Sequence, residues 1–314
     1  MYKAHSVGVV IPCYNEATQI EGVLQTIPEY VDHVVVVDDC SKDETVSVVK
    51  AFTSSNATQI HLIEHEVNQG VGGAIASGYC WMRDHSIDAA AVMAGDGQMN
   101  PDDLPHLLDP VVSGEADYSK GNRFVWSGAY DRIPRVRYIG NAILSFLTKI
   151  ASGYWHVADS QTGYTVINKK ALGVIDWQSM YKRYGQPNDL LVKLNVHSFR
   201  VKDVPVEPVY DVGEQSGINV RKVVFTIGWL LVKLFFWRLK EKYIIRDFHP
   251  LVLFYFMSFS LLIMSAGFLV RLIWLWIGTG SVPEITLLAL IFCFSSSMQS
   301  AFFAMWFDSQ YEER

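Results

Sequence analysis

The sequence lacks the residue clusters that mark several classes of protein. Its four cysteines are scattered and form no Cys-x-x-Cys or Cys/His cluster, so neither a zinc site nor a disulfide framework is predicted. The formal charge is −6 at pH 7, which argues against nucleic acid as the main partner. Residues 1–6 are polar and the apolar run after them ends at Pro12, a pattern unlike that of a signal peptide. These absences favour a reduced domain that faces the cytosol.

Charged residues are almost absent from two apolar stretches near the C-terminus. Residues 251–277 contain only Arg271 and residues 284–307 only Glu284, and both stretches are long enough to cross a bilayer. Their short connection predicts a helical hairpin with both ends on one side of the membrane. The segment before the hairpin is rich in cations, namely Arg221, Lys222, Lys233, Arg238, Lys240, Lys242 and Arg246. Because the connecting loop carries only Glu284, the positive-inside rule places the preceding domain in the cytoplasm.

The composition divides the chain into three parts. Mean hydropathy is +0.16 and 50% of the residues are hydrophobic, which favours one soluble domain plus a membrane portion. We predict a soluble domain over residues 1–217 and amphipathic juxtamembrane helices over residues 218–248, where aromatic residues mix with cations as in helices of the membrane interface. Residues 249–310 then form the two transmembrane helices, and an anionic lipid head group would be attracted to the basic segment.

The soluble part alternates predicted strands and helices. Apolar runs at residues 7–11 and 34–37 flank helical spacing over residues 16–27, which predicts a βαβ unit and a parallel sheet. Ser41, three residues before Glu44, has the pattern of a helix N-cap. Further strands are predicted at residues 59–64, 89–93, 117–120, 165–168 and, as a proline-containing edge strand, 204–209. Further helices are predicted at residues 45–52, 74–83, 101–112 and 138–151, so the fold class is α/β.

The apolar run at residues 89–93 leads into Gly-Asp96-Gly-Gln98. An Asp at the carboxyl end of a buried strand places a hard oxygen ligand where open α/β sheets bind their ligands. In an extended segment Gln98 faces the same way and offers a second oxygen. Asp96 and Gln98 are therefore candidate metal ligands, although Asp-Gly after a strand is also typical of a plain turn.

Four segments resemble the family 2 glycosyltransferases in their order and spacing. They are residues 9–16 (VVIPCYNE), 36–41 (VVDDCS), 68–74 (NQGVGGA) and 95–98 (GDGQ). With the basic segment and the terminal hairpin, the chain is similar to the polyprenyl-phosphate glycosyltransferases, the branch that includes dolichol-phosphate mannose synthase. The resemblance covers residues 5–217 by motif and the rest by architecture. It implies a GT-A fold, a Rossmann-like and mostly parallel sheet that binds a nucleotide-sugar and a divalent cation.

The resemblance assigns roles on the donor side of this fold. The residues that match nucleotide-sugar contacts are Pro12, Tyr14, Glu16, Asp39, Gly73 and Asp96. Asp39 matches the carboxylate that hydrogen-bonds the base, whereas Asp38 more often fixes the turn. Asp96 matches the last Asp of the Asp-x-Asp motif and Gln98 the amide after it, so Mg²⁺ or Mn²⁺ is the implied cofactor. Ala94 replaces the first Asp of that motif, which puts the number of protein ligands in doubt.

The resemblance also implies an acceptor site for a lipid phosphate. Arg123 matches an arginine expected to hold the acceptor phosphate, and Arg135 or Arg137 matches a second one downstream. Arginine suits a bidentate grip on phosphate, and the alternative for Arg123 is a surface ion pair. Asp159 lies where family members carry an Asp proposed to orient or activate the acceptor, although it could equally cap a turn.

The predicted function is inverting transfer of one sugar from a UDP- or GDP-linked donor to a polyprenyl phosphate, which gives a polyprenyl-phosphate sugar. Asp96, Arg123 and Asp159 are the predicted catalytic residues. The implied partners are the nucleotide-sugar, the polyprenyl phosphate, the membrane and further copies of the chain in a homo-oligomer such as a tetramer. The two-span architecture favours the plasma membrane, with the chain multi-pass and its catalytic domain cytoplasmic.

Three alternative functions fit the sequence less well. A processive polysaccharide synthase is disfavoured because no Gln-x-x-Arg-Trp motif is present and two spans are too few to enclose a polymer channel. A nucleotidyltransferase would need a glycine-rich loop where Pro12 and Tyr14 stand. Ala94 suggests a non-catalytic membrane adaptor that keeps the fold, but retention of Asp96 and Arg123 argues against it. Family members also carry an arginine that residues 210–217 lack, for which Arg221 or Lys222 is a candidate replacement.

Overall fold

The computed structural model describes residues 1–55, 59–209 and 220–312. Contacts divide the chain into two compact units, Met1–Phe235 and Phe236–Arg314. The segment 210–217 and the side chains of Arg221 and Lys222 lie outside the described part, so the candidate replacement for the missing arginine stays a prediction. The predicted domain limits at residues 217 and 248 also stay predictions.

The first unit is built on one seven-stranded sheet. Its strands are β1 (Val7–Cys13), β2 (His33–Asp38), β3 (Ile60–Glu64), β4 (Ala89–Val92), β5 (Tyr118–Asn122), β6 (Thr165–Asn168) and β7 (Val201–Pro205). They lie in the order β3-β2-β1-β4-β6-β5-β7. Only β6 runs antiparallel to its neighbours, so the predicted mostly parallel sheet is confirmed. The edge strand begins three residues before its prediction, and it ends at Pro205, the last residue that pairs with β5.

Helices of the first unit connect these strands. They are α1 (Ile20–Gln25), α2 (Thr45–Ser55), α3 (Val71–Asp84), α4 (Leu104–Val112), α5 (Ala129–Arg132), α6 (Arg135–Ser152), α7 (Lys169–Val174), α8 (Gln186–Val196) and α9 (Val220–Lys240), the last of which continues into the second unit. A 3₁₀ turn at Pro101–Asp103 precedes α4, and Asn100 caps it by accepting a hydrogen bond from the Asp102 N–H (3.0 Å). Three helices, α5, α7 and α8, were not predicted.

Aliphatic side chains of the central strands form the core on both faces of the sheet. Alternate residues of β1 and β2 point to opposite faces, and the valines on both faces are fully buried, including Val9, Val10, Val35 and Val36 at 0% exposure. A strand buried on both faces reads as a continuous apolar run, which is the pattern that predicted β1 and β2.

The second unit contains two long apolar helices, α10 (Leu251–Thr279) and α11 (Glu284–Glu312). Both are long and apolar enough to cross a membrane. The hydroxyl of Ser297 on α11 donates to the carbonyl oxygen of Ser258 on α10 (2.8 Å). Arg238 and Asp308 form a buried bidentate ion pair with N–O distances of 3.0 and 2.8 Å, so the end of α9 within this unit is tied to α11.

Candidate functional site

The register of the sheet brings the predicted site segments to one edge. Val10 on β1 pairs with Val92 on β4, Val92 with Thr165 on β6, and Thr165 with Lys120 on β5. Cys13 at the end of β1 pairs in turn with Asp38 at the end of β2. The segments that follow β1, β2, β4 and β5 and the segment that precedes the antiparallel β6 therefore meet at a common edge of the sheet, as expected for an open α/β fold.

The loops after β1 and β2 hold each other by side-chain to backbone hydrogen bonds. The Asn15 N–H donates to the Ser41 hydroxyl (2.9 Å), and the Glu16 N–H donates to the Thr45 hydroxyl (2.9 Å). Ser41 therefore binds the neighbouring loop and does not cap α2 as predicted. Asp38 accepts the Ser41 N–H (3.0 Å), which confirms its expected role in the turn. Tyr14, between these contacts, has an exposed fraction of 42%.

Asp39 lies at the centre of a buried hydrogen-bond network. One carboxylate oxygen is 2.8 Å from Nδ1 of His65 and accepts the Gln69 N–H (2.8 Å), while the other accepts the Gly70 N–H (2.7 Å). The second ring nitrogen of His65 is 2.9 Å from the Ser77 hydroxyl. The predicted base-binding carboxylate thus binds the glycine-rich turn directly, and it reaches Ser77 on α3 through His65, a histidine that no sequence motif marks.

The glycine-rich turn packs tightly against the segment around residues 181–183. Helix α3 begins at Val71, three residues before its prediction, and a Cβ on Gly72 would lie 2.3 Å from the Tyr181 carbonyl oxygen. The Gly73 N–H donates to the carbonyl oxygens of Gly70 (2.8 Å) and Lys182 (3.1 Å). Close packing thus accounts for glycine at position 72, and nucleotide binding at Gly73 stays a prediction.

Asp96 and Glu16 form an acidic pair at the ends of β4 and β1. Asp96 accepts the Gln98 N–H (3.0 Å), so the turn foreseen as the alternative for Asp-Gly is present. Burial, then the charges of Asp96 and Asp43, raise the pKa of Glu16 to about 7. Part of this shift therefore comes from neighbouring carboxylates, whose negative charge disfavours a further charge on Glu16.

The acidic pair suits a cation that is shared with a substrate. In the described part of the chain, no three His, Cys, Asp or Glu side chains form a metal-binding group. A Mg²⁺-type site usually takes one or two carboxylates and completes its shell with water and substrate phosphates. The oxygens of Asp96 and Gln98, with the Glu16 carboxyl nearby, fit that kind of site, and no second Asp-x-Asp carboxylate is available because position 94 is Ala.

Arg123 and Asp159 form the most extensive ion pair of the first unit. The Asp159 carboxylate is fully buried and accepts Nε (2.7 Å) and Nη2 (3.1 Å) of Arg123, whose side chain is 20% exposed. It also accepts the Gln161 N–H (3.2 Å). Burial alone would raise the pKa of Asp159, but the charge and hydrogen bonds of Arg123 outweigh burial and lower it. The capped turn foreseen for Asp159 is thus present, whereas the ion pair of Arg123 has a buried partner and is not the surface pair given as its alternative.

The predicted second arginines lie in the first turn of α6. Arg135 is exposed and lies over the Tyr130 ring at 5.9 Å, and Arg137 is half-buried. The Phe124 and Tyr138 rings, whose residues follow Arg123 and Arg137, are 5.1 Å apart. The structure therefore brings the start of α6 against the end of β5. Residues 125–137 therefore contain α5 and the start of α6.

Contacts also link the Asp96 loop to the Asp159 loop. A Cβ on Gly163 would lie 3.3 Å from the Met99 side chain, and the Tyr164 hydroxyl donates to the Asn100 carbonyl oxygen (3.0 Å). These contacts follow Asp96 and Asp159 by three to five residues along the chain. The fold therefore brings an acidic side at Asp96 and a guanidinium side at Arg123 to one edge of the sheet.

Comparisons with known proteins assign the family. The sequence profile of Glycosyl transferase family 2 matches residues 8–175. The chain is 30% identical over 239 residues to a UDP-N-acetylglucosamine–dolichyl-phosphate N-acetylglucosaminyltransferase of Methanococcus voltae, which covers 72% of this chain and 94% of that protein. It is 27% identical over 228 residues to a polyprenol monophosphomannose synthase of Mycolicibacterium smegmatis, covering 70% and 84% respectively. The chain therefore belongs to glycosyl transferase family 2.

A solved structure supports the fold independently. Glucosyl-3-phosphoglycerate synthase from Mycobacterium tuberculosis, crystallised with Mn²⁺, UDP and phosphoglyceric acid, aligns with a TM-score of 0.56 at 17% sequence identity. The alignment covers 75% of this chain and 78% of that one. Together with the sheet order, this similarity confirms the predicted GT-A fold, and the family makes the protein a glycosyltransferase.

Proposed function

We propose that this glycosyltransferase moves one sugar, with inversion, from a nucleotide-sugar to a polyprenyl phosphate. The observation that carries the proposal is Arg123, held by a buried Asp159 and followed by a helix with an exposed apolar face. The Methanococcus voltae relative is named for a dolichyl-phosphate acceptor and the Mycolicibacterium smegmatis relative for a polyprenol product, which supports the same acceptor class. The proposed donor is a UDP- or GDP-linked sugar.

The apolar face of α6 suits an isoprenoid acceptor. Val136, Ile139, Ile143 and Phe146 recur at helical spacing and are between 55% and 77% exposed. Exposed apolar side chains at this spacing favour contact with lipid, and the arginines at the start of the helix favour contact with a phosphate. A lipid phosphate offers both groups in one molecule.

On the donor side, Asp96 and Gln98 would hold Mg²⁺ or Mn²⁺, which would neutralise the charge that develops on the leaving nucleoside diphosphate. Pro12, Tyr14 and Asp39 are proposed to contact the nucleoside. The loops that carry them are tied together by the Asn15–Ser41 and Asp39–His65 hydrogen bonds, so the donor side is fixed before substrate binds. Preorganised groups avoid a reorganisation cost during the reaction.

The reaction forms a bond between an acceptor phosphate oxygen and the anomeric carbon and breaks the bond from that carbon to the nucleoside diphosphate. Because the acceptor is already an oxyanion, removing a proton is a small part of the task, and positioning matters more. The pKa of Asp159 is lowered, so this carboxylate stays ionised beside Arg123. We therefore assign Asp159 the orienting role and not that of a general base.

Location and assembly extend the proposal. The two apolar helices and the relatives' lipid substrates indicate membrane association. We propose a multi-pass protein of the plasma membrane with the catalytic unit in the cytoplasm, where nucleotide-sugars are made. A homo-oligomer such as a tetramer is proposed from the family resemblance alone, and the mass of the detergent-solubilised protein would test it.

The test is nucleoside diphosphate release by the purified, detergent-solubilised chain with Mn²⁺ or Mg²⁺, a polyprenyl phosphate and a panel of UDP- and GDP-sugars. We expect release from one donor that requires the lipid phosphate and is absent with the dephosphorylated polyprenol. Release that is equal with and without lipid phosphate would contradict the acceptor assignment. No release from any donor despite nucleotide binding would favour the non-catalytic adaptor.

A further inference from the structure

Lys120 carries its amino group in the interior of the first unit. Lys120 lies on β5 and is 0% exposed, and its Nζ donates to the carbonyl oxygen of Asp159. A buried ammonium is costly unless charged or polar groups compensate it. Burial lowers the pKa of Lys120, and the carboxylates of Asp203 and Asp159 oppose that effect. Nothing in the sequence pattern of a buried strand requires a lysine here, so the residue needs an explanation.

Asp203 lies directly beside Lys120 on the neighbouring strand. The two residues are register partners of β5 and β7, so their side chains share one face of the sheet. One oxygen of the Asp203 carboxylate accepts the Ala158 N–H (2.7 Å) and the Asn122 side-chain amide (2.8 Å). The buried cation and its neighbouring anion thus both bind the same loop.

The two strands hold the backbone on both sides of the Asp159 side chain. Asp203 binds the N–H of Ala158, and Lys120 binds the C=O of Asp159 itself. The Asp159 carboxylate then takes two nitrogens of Arg123, which leaves the guanidinium one orientation relative to the sheet. The chain of contacts runs from the sheet to the backbone, from the backbone to the carboxylate, and from the carboxylate to the arginine.

We propose that Lys120 and Asp203 form a cross-strand clamp that positions Arg123 for the acceptor phosphate. Both are positioning residues, because they act through the backbone at Asp159 and not on a substrate. The inference rests on the proposed function for its ligand. Binding sites lose effectiveness when supporting groups allow displacements of about 1 Å, so a loosened loop should weaken acceptor use before it affects donor use.

The test compares Lys120→Met with a matched control, Lys193→Met. Lys193 is also a buried lysine that donates to a backbone carbonyl, that of Ser179 (2.9 Å), and pairs with Asp189, but it lies on α8 and contacts neither Arg123 nor Asp159 in any bond described here. We expect Lys120→Met to raise the KM for polyprenyl phosphate about tenfold and to leave the donor KM within about twofold. Lys193→Met should lower thermal stability by a similar amount and leave the KM for polyprenyl phosphate unchanged.

A second readout does not depend on turnover. Hydrogen exchange of the 156–163 segment should be faster in Lys120→Met and unchanged in Lys193→Met. If Lys120→Met does not fold, the same two measurements are made on Asp203→Asn. This variant keeps a hydrogen-bond acceptor and removes the charge. An unchanged acceptor KM in a folded, active variant, or equal exchange in both lysine variants, would overturn the clamp. Lack of lipid-dependent turnover in the wild type would instead overturn the proposed function, and exchange would still decide the clamp.

Discussion

Three carboxylates on the β1, β2 and β4 side of the site, Glu16, Asp43 and Asp96, lie near one another, whereas Asp159 on the β5, β6 and β7 side is paired with a cation. Glu16 has a pKa raised to about 7 by burial, Asp96 and Asp43, while the pKa of Asp159 is lowered by Arg123 against the effect of burial. The pKa values of two carboxyl groups at one sheet edge are thus shifted in opposite directions because their charged neighbours differ. The acidic side suits a cation with a diphosphate, and the arginine side suits an anionic acceptor.

The largest effect on activity is expected from a substitution that removes the predicted metal ligand on the acidic side. Asp96→Ala should lower the transfer rate by at least about 1,000-fold, or about 4 kcal/mol of activation free energy, because position 94 offers no second carboxylate to hold the cation. Thermal unfolding should change little, because the substitution removes a turn hydrogen bond but also the repulsion between Asp96 and Glu16. Transfer at the wild-type rate would disprove the metal assignment, and Asp102→Ala, in the following 3₁₀ turn, is the control.

On the opposite side, Arg123→Met should reduce transfer about 100-fold through loss of acceptor binding. It would also leave the buried Asp159 unpaired, which costs about 3 kcal/mol of folding free energy. The double variant Arg123→Met/Asp159→Asn should regain stability without regaining transfer. If the double variant regained both, Arg123 would serve the fold alone, and the functional contrast between the two sides would not hold.

The glycine-rich turn decides whether the donor side is built by packing or by direct phosphate contact. Gly72→Ala should destabilise the protein by about 2 kcal/mol, because its Cβ would lie 2.3 Å from a backbone oxygen. Gly22→Ala, in α1 with no atom within 4 Å of its Cβ, should be neutral or stabilising. Thermal unfolding with and without nucleotide measures both. A Gly72→Ala protein of wild-type stability that binds nucleotide poorly would favour direct contact.

The sequence predicted the sheet well because the central strands are buried on both faces and appear as apolar runs. It missed α8, which is also buried but lacks an apolar run. That helix is buried all round with polar residues, such as Asn188 and the Asp189–Lys193 ion pair (3.0 Å), so no apolar stripe marks it. Helix prediction from periodicity needs one polar face in solvent.

Site residues were predictable where a motif names them, and not where tertiary contacts give them a role. Asp96, Arg123 and Asp159 stand in recognisable segments, and the fold brings their segments to one edge. His65 and Lys120 act through Asp39 and Asp159, which lie 26 and 39 residues away in the chain. Ser41 has the local pattern of a cap, but the Asn15 N–H takes its hydroxyl instead. Local signals fail where a distant partner offers the stronger hydrogen bond.

The smallest effect concerns the pH dependence of stability, and it tests the contrast between the two sides most directly. Because the pKa of Glu16 is raised to about 7 from an ordinary 4.5, the folded state binds more protons than the unfolded state between these values, and stability falls as pH rises through this window. Glu16→Gln should therefore match the wild type near pH 4 and exceed its Tm by about 2 °C at pH 8, a modest gain because Glu16 is partly exposed to solvent. Glu21→Gln, at an exposed position of α1, is the control.

Asp159→Asn should have the opposite sign, since the pKa of Asp159 is lowered and its ionised form stabilises the fold at neutral pH. Its destabilisation should fade as the pH falls below the ordinary range of an aspartate, where the wild type loses the same charge. Adding Mn²⁺ should shrink the gain from Glu16→Gln, because a cation beside Asp96 would compensate the charge that raises the Glu16 pKa. If both substitutions shifted stability in the same direction at pH 8, the two sides of the site would not differ in uncompensated charge, and an acidic donor side opposite a cationic acceptor side would no longer explain the arrangement.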